Sequence, residues 1–196
     1  MCFRMFVLSI ILWLGASSAN AGTLHDLARR GDVAGIAAAL AAGSDVNGYD
    51  GLGTPLTYAV AKGQYAAAEL LIARGADVNV PTRYYGDAIM LATARHRADL
   101  VELLLKHGAI PNSVLNGQPV LHLAASMGCL GCVKALVEAG ADVNWETKYG
   151  DCPITRSAMG VAAFYGFRDI AGYLGAPRSP PRYLGGATLA AGRVAI

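Results

Sequence analysis

The sequence predicts an all-α solenoid, a stack of about five helix-turn-helix units joined by hairpin-like turns. Three observations predict it. The pentapeptide "GADVN" occurs twice, at Gly75–Asn79 and Gly140–Asn144, with blurred copies "GSDVN" at Gly43–Asn47 and "GAIPN" at Gly108–Asn112. The four leading glycines stand 32, 33 and 32 residues apart, and a fixed period of that size signals stacked repeats. Within the period, apolar residues recur at i, i+3 and i+4 in two short runs, each closed by glycine, which reads as two short amphipathic helices.

The chain opens with "MCFRMFVLSIILWLGASSANA": one basic residue (Arg4), an apolar run from Met5 to Leu14, and the small-x-small pattern Ala19-Asn20-Ala21. This is the layout of a secretory signal peptide, and the run is too short to span a bilayer. The expected division is a signal peptide over 1–21, a repeat domain over 22–175 and a loose Pro- and Gly-containing tail over 176–196. Loss of the leader removes Arg4 alone and takes the formal charge from +2 to +1. With only 15% charged residues, nothing electrostatic favours nucleic acid or an anionic membrane.

The first unit, "LHDLARRGDVAGIAAALAAG", has no preceding hairpin and reads as an N-terminal cap. In the second, "GLGTPLTYAVAKG", Thr54 suits a helix N-cap and Pro55 the first helical position, where a missing N–H costs nothing. Leu56, Ala59 and Val60 then share an apolar face, and Gly63 ends the helix. A second helix, "QYAAAELLIARG", repeats the pattern with Ala68, Leu71 and Ile72, and Gly75 ends it. Asp77 and Asn79 fall in the turn that returns the chain to the next pair. Helices this short need neighbours for stability.

The period near 33, "TPL" at a helix start, "LL" in the next helix and "GADVN" in the turn resemble the ankyrin repeat, over roughly Leu24 to Leu174. "PVLHLAASMG" is similar to that family's helix start, with His122 at its histidine position. The resemblance implies a structural histidine there, bonded to the turn of a neighbouring repeat. Two units depart from the pattern. In "GDAIMLATARH", Asp87-Ala88-Ile89 replaces Thr-Pro-Leu and His96 stands where glycine is usual, so that helix end is expected to be strained or differently shaped. The last unit, "GVAAFYGFRDIAGYL", aligns with Met159 at the leucine position and Gly166 at the helix end. Met159 then lies 38 residues after Leu121, which puts about five extra residues in "WETKYGDCPITRSA".

"GCLGCV" places Cys129 and Cys132 as a CxxC at a helix start. Three readings stand: a structural disulfide, two unpaired thiols with Cys132 filling the core, or an active redox pair. A zinc site from His122, Cys129, Cys132 and Cys152 matches by residue type. It fails on distance, because Cys152 belongs to the long turn at the opposite end of the preceding helix, about 10–12 Å from the CxxC at 1.5 Å per residue. Gly-rich phosphate loops, nucleophile elbows and metal-spaced histidine pairs are absent from the sequence, and no cofactor is expected.

A stack of helix pairs presents an inner face made by the first helices and the hairpin tips, and the resemblance implies that partners bind there. The tips carry Tyr49, then Arg83, Tyr84 and Tyr85, then Leu115, then Trp145, Lys148 and Tyr149; the first-helix ends carry Arg95, Met127, Phe164 and Tyr165. Exposed Tyr, Trp and Arg favour binding hot spots. The reading is a non-enzymatic interaction protein, monomeric alone, with another protein as its partner. It is exported, periplasmic in the first instance and secreted in the second. The alternative is a thiol–disulfide module using Cys129 and Cys132.

Overall fold

The computed structural model describes residues 23–147 and 157–176. The expected leader, the inserted turn with Lys148, Tyr149 and Cys152, and the tail from residue 177 lie outside the described residues.

Ten described helices pair in sequence order: α1 (Leu24–Arg30) with α2 (Val33–Ala41), α3 (Pro55–Ala61) with α4 (Tyr65–Ala73), α5 (Ala88–Ala94) with α6 (Ala98–Lys106), α7 (Val120–Met127) with α8 (Leu130–Glu138), and α9 (Ala158–Phe164) with α10 (Arg168–Gly175). The first members pack on one another as an inner row, α1 to α9, and the second members as an outer row, α2 to α10. The helices have seven to nine residues, below the length at which an isolated helix is stable in water. Their stability comes from the core between the rows, where Ile36, Leu56, Leu71, Ile89, Leu100, Leu104, Leu121 and Leu136 are almost wholly buried.

The helix starts follow the sequence closely. Thr54 forms a reciprocal capping box with Thr57 ahead of Pro55, which satisfies two otherwise orphaned N–H groups. Asp87 accepts from the Met90 N–H and Ser157 from the Gly160 N–H. Pro119 occupies the same position before α7 with no side chain to cap it. These N-caps are 33, 32 and 38 residues apart, in line with an enlarged turn before the last unit. At the helix ends, Gly63 takes φ 71° and His96 takes φ 55°. The histidine adopts the left-handed geometry that its neighbours reserve for glycine.

Met159 keeps the expected register and differs from its counterparts in burial. It holds the position of Leu56, Ile89 and Leu121, two residues after the N-cap, yet it is 44% exposed where they are 2% or less. Among the described residues α9 has an inner-row neighbour, α7, on one side only.

The pentapeptide has a clear physical job. In three copies the aspartate accepts from the N–H two residues on, at 2.9 Å in each: Asp45 from Asn47, Asp77 from Asn79 and Asp142 from Asn144. The asparagine then reaches the next unit. Asn47 donates to the Gly75 carbonyl and accepts from the Asp77 N–H. Asn79 does the same with Gly108 and Ile110, and Asn112 accepts from Asp142. The first three turns are therefore each pinned to the following one.

Candidate functional site

The tips of neighbouring units are joined. The Arg83 N–H donates to the Leu52 carbonyl at 3.0 Å. Thr82 closes its own tip, with its hydroxyl donating to the Gly86 carbonyl at 2.7 Å and accepting from the Tyr85 N–H at 3.0 Å. This tight loop turns Tyr84 and Tyr85 outward, 61% and 65% exposed, with their rings edge to face at 6.4 Å. The Arg83 guanidinium lies 5.4 Å from the Tyr84 ring centre, within cation–π range.

Between these tips and helices α3 and α5 lies a cleft of about 200 Å³, lined by Leu52, Gly53, Thr57, Tyr58, Ala61, Thr82, Tyr84, Tyr85 and Leu91. Tyr58 and Leu91 each stand four residues after their N-cap, and Ala61 seven after its own. These residues share one helix face, directed at the tips. Tyr58 is fixed by its hydroxyl, which donates to Asp50 at 2.8 Å, and by an edge contact with His25 at 5.5 Å. Burial pushes the Asp50 carboxyl up, but the Leu52 and Gly53 N–H groups and the Tyr58 hydroxyl outweigh it, so the carboxyl sits below its usual range. Burial and the same bond to Asp50 raise the Tyr58 phenol.

A second cleft, of about 410 Å³ and more polar, runs between Asn116, Gly117, Gln118, His122, Ser126, Thr147, Val161 and Tyr165. His122 is 2% exposed. Phe164 and Tyr165 stand at the end of α9, 61% and 58% exposed, with their rings perpendicular at 5.3 Å.

The structure brings together Arg83, Tyr84 and Tyr85, while Tyr49, Arg95 and Met127 are exposed and do not line this cleft. Leu115 is a correction. The β-hairpin of β1 (Val114–Leu115) and β2 (Gln118–Pro119) turns at Asn116 and Gly117, both with positive φ, as a tight Asn-Gly turn requires. Alternation along the strand sends Val114 out and Leu115 inward against the core. Trp145 is likewise partly buried rather than exposed, just after the Asp142 turn, to whose carbonyl its N–H donates. Lys148 and Tyr149 fall outside the described residues. The sequence reading missed Tyr58 and Leu91. Their common register four residues after an N-cap was the signal that marks them.

Cys129 and Cys132 form a disulfide, with Cα atoms 5.3 Å apart. Cys129 is the N-cap of α8, its sulfur accepting from the Cys132 N–H. The two residues are 7% and 0% exposed. A dithiol that exchanges with partners needs an accessible sulfur, and this one is packed into the helix start. Among the described residues no cluster of three or more His, Cys, Asp or Glu could hold a metal, and no helix is long and apolar enough to cross a membrane.

Residues 82–147 match the family model for ankyrin repeats in three copies, and residues 53–83 match that for a single ankyrin repeat. A mouse B-cell lymphoma 3 protein homolog is 36% identical over 112 residues, 56% of this chain and 25% of that protein. The chicken nuclear factor NF-kappa-B p105 subunit is 36% identical over 95 residues, 46% of this chain and 10% of that one. A rice probable E3 ubiquitin-protein ligase, XBOS33, is 36% identical over 92 residues, 45% and 18% of the two chains. The chain thus spans a quarter or less of these relatives. Ankyrin repeats are modules of protein–protein interaction, generally without catalysis of their own.

Proposed function

From the premise that this chain is an ankyrin-repeat protein, we propose that it is a rigid, non-catalytic docking surface for another protein in an exported compartment, the periplasm first. The observation that carries the docking face is the apolar cleft walled by the outward-turned Tyr84 and Tyr85. Aromatic side chains placed this way lose little conformational freedom on binding and give large contact areas. A scaffold already pinned turn to turn binds with little further ordering cost. On this reading the partner is an envelope enzyme that the chain protects or inhibits, or a toxin that it neutralises.

Export is supported by the leader pattern of residues 1–21 and by the Cys129–Cys132 disulfide, since such bonds persist in oxidising compartments. The mass of the chain recovered from fractionated cells tests it: a chain beginning near Gly22 and found outside the cytoplasm is expected, and an unprocessed cytoplasmic chain overturns it.

The docking reading is tested by affinity capture from the envelope fraction, comparing the chain with a Tyr84→Ala/Tyr85→Ala variant of equal thermal stability. A protein held by the first and released by the second is expected. Equal retention moves the site off this face. The thiol–disulfide alternative is tested by Cys132→Ser: if folding is kept and partner binding lost, the thiols act in function.

A further inference from the structure

We infer that the occupant of the tip cleft is an acidic peptide segment of the partner, anchored by a single aromatic or leucine side chain. This rests on the docking reading above and specifies its chemistry. The cleft, at about 200 Å³, is smaller than a typical small-molecule site of about 300–1,000 Å³, so it suits one side chain of a larger molecule. Three of its five hydroxyls are already used: that of Tyr58 on Asp50, that of Thr82 on Gly86, and that of Thr57 on the Thr54 backbone, while the exposed Tyr84 and Tyr85 carry the other two. The entering group therefore meets few open hydrogen-bond partners and should be mainly apolar.

The rim has the opposite character. Arg83 borders the cleft beside Tyr84; Lys62 follows Ala61, and Arg95 lies one helical turn beyond Leu91. Arg30 occupies the matching helix end one unit earlier. All four are exposed, and among the described residues none of them forms an ion pair. Of the carboxylates near Tyr58, Asp50 is held by two backbone N–H groups and the Tyr58 hydroxyl, and Asp26 is paired with Arg29. Of the inner-row helices, α3, α5, α7 and α9 contain no Asp or Glu, and the one acid of α1 is this paired Asp26, whereas Glu69, Glu102 and Glu138 lie on outer-row helices. Unpaired acids are thus few on the inner row of a chain of net charge only +2. A row of unpaired cations around an apolar cleft is complementary to carboxylates flanking an apolar anchor. The chain's own tail does not supply this, since residues 177–196 hold three arginines and no acid.

The test uses the full chain and two synthetic ten-residue peptides, one phenylalanine flanked by glutamates and the same residue flanked by lysines. The glutamate peptide is expected to bind, to lose about tenfold in affinity in a Lys62→Ala/Arg95→Ala variant, and to lose a similar factor when salt rises from about 50 to about 500 mM. Tyr85→Ala should weaken it as well, and serine in place of the phenylalanine should abolish binding. Equal binding of the lysine peptide overturns the proposal, as does indifference to the cationic variant. A chain ending at residue 176 should bind the glutamate peptide as the full chain does; a large gain would assign the cleft to the tail and also overturn it. Circular dichroism melts confirm that the variants fold. If a captured partner is lost by Tyr84→Ala/Tyr85→Ala but kept, with unchanged salt dependence, by Lys62→Ala/Arg95→Ala, the docking face stands and the acidic occupant falls.

Discussion

The side-chain nitrogen of Asn79 donates to the carbonyl of Gly108 at 3.0 Å, so a residue in one turn holds the turn of the next unit, 29 residues along. Its oxygen completes the clasp by accepting from the Ile110 N–H at 3.1 Å. This is why the asparagine recurs with the glycine. The stack is braced along its turns as well as through its core.

Asn79→Ala should destabilise the chain by about 1–2 kcal/mol, since two bonds of roughly 0.5–1.5 kcal/mol each are lost in a partly solvated place. Asn47→Ala, which loses the matching pair of bonds to Gly75 and Asp77, should cost about as much. Urea unfolding of both variants checks this, and losses near zero would remove the clasp from the account.

His96 in left-handed geometry carries a strain that glycine would not. His96→Gly should therefore raise stability by up to about 1 kcal/mol, the strain relief being partly offset by a more flexible unfolded chain. Gly63→Ala should lower it by about 1–3 kcal/mol: φ is 71°, and the added carbon would meet the Arg97 guanidinium, which donates to the Gly63 carbonyl. Thermal melts of the pair should move in opposite directions.

Position in the stack should outweigh position in the repeat. Leu56→Ala and Ile89→Ala remove fully packed side chains and should cost about 2–5 kcal/mol, while Met159→Ala at the same register should cost less than about 1 kcal/mol. Similar losses at all three would mean that Met159 is covered.

The bond between Tyr58 and Asp50 makes one wall of the cleft sensitive to acid. The carboxyl sits below its ordinary value of 3.8 in the fold. Its contribution is therefore present above that value and is lost as pH falls through the lower, folded one. The melting-temperature gap between the chain and Tyr58→Phe should be widest above about pH 5 and close progressively below about pH 4. A gap independent of pH would show that the phenol acts through packing alone.

Much of this architecture was legible because it is local. Thr54-Pro55, Asp87 and the glycine of each pentapeptide announce helix ends within four residues of where they act. What stayed hidden depends on neighbours far along the chain. Tyr58 reads as an ordinary helix-surface residue until Tyr84 and Tyr85, from the next unit, line a cleft with it. The asparagine clasp spans about one period, and the period alone gives a spacing without naming a bond partner. Leu115 was readable and misread: the Asn116-Gly117 turn fixes a hairpin register in which only Val114 faces out. Met159 followed its motif and differs only in burial, which depends on what packs against α9 and is not written in the repeat pattern.

The central claim is that the inner face at Tyr84 and Tyr85 is where a protein partner docks. A photo-crosslinking residue placed at Tyr85, and in a second chain at Glu69 on the outer row, tests it most directly in the cells that make the protein. A discrete adduct from position 85 and none from position 69 is the expected result. Adducts from position 69 with none from position 85 would contradict the claim and turn the binding surface to the other side of the stack.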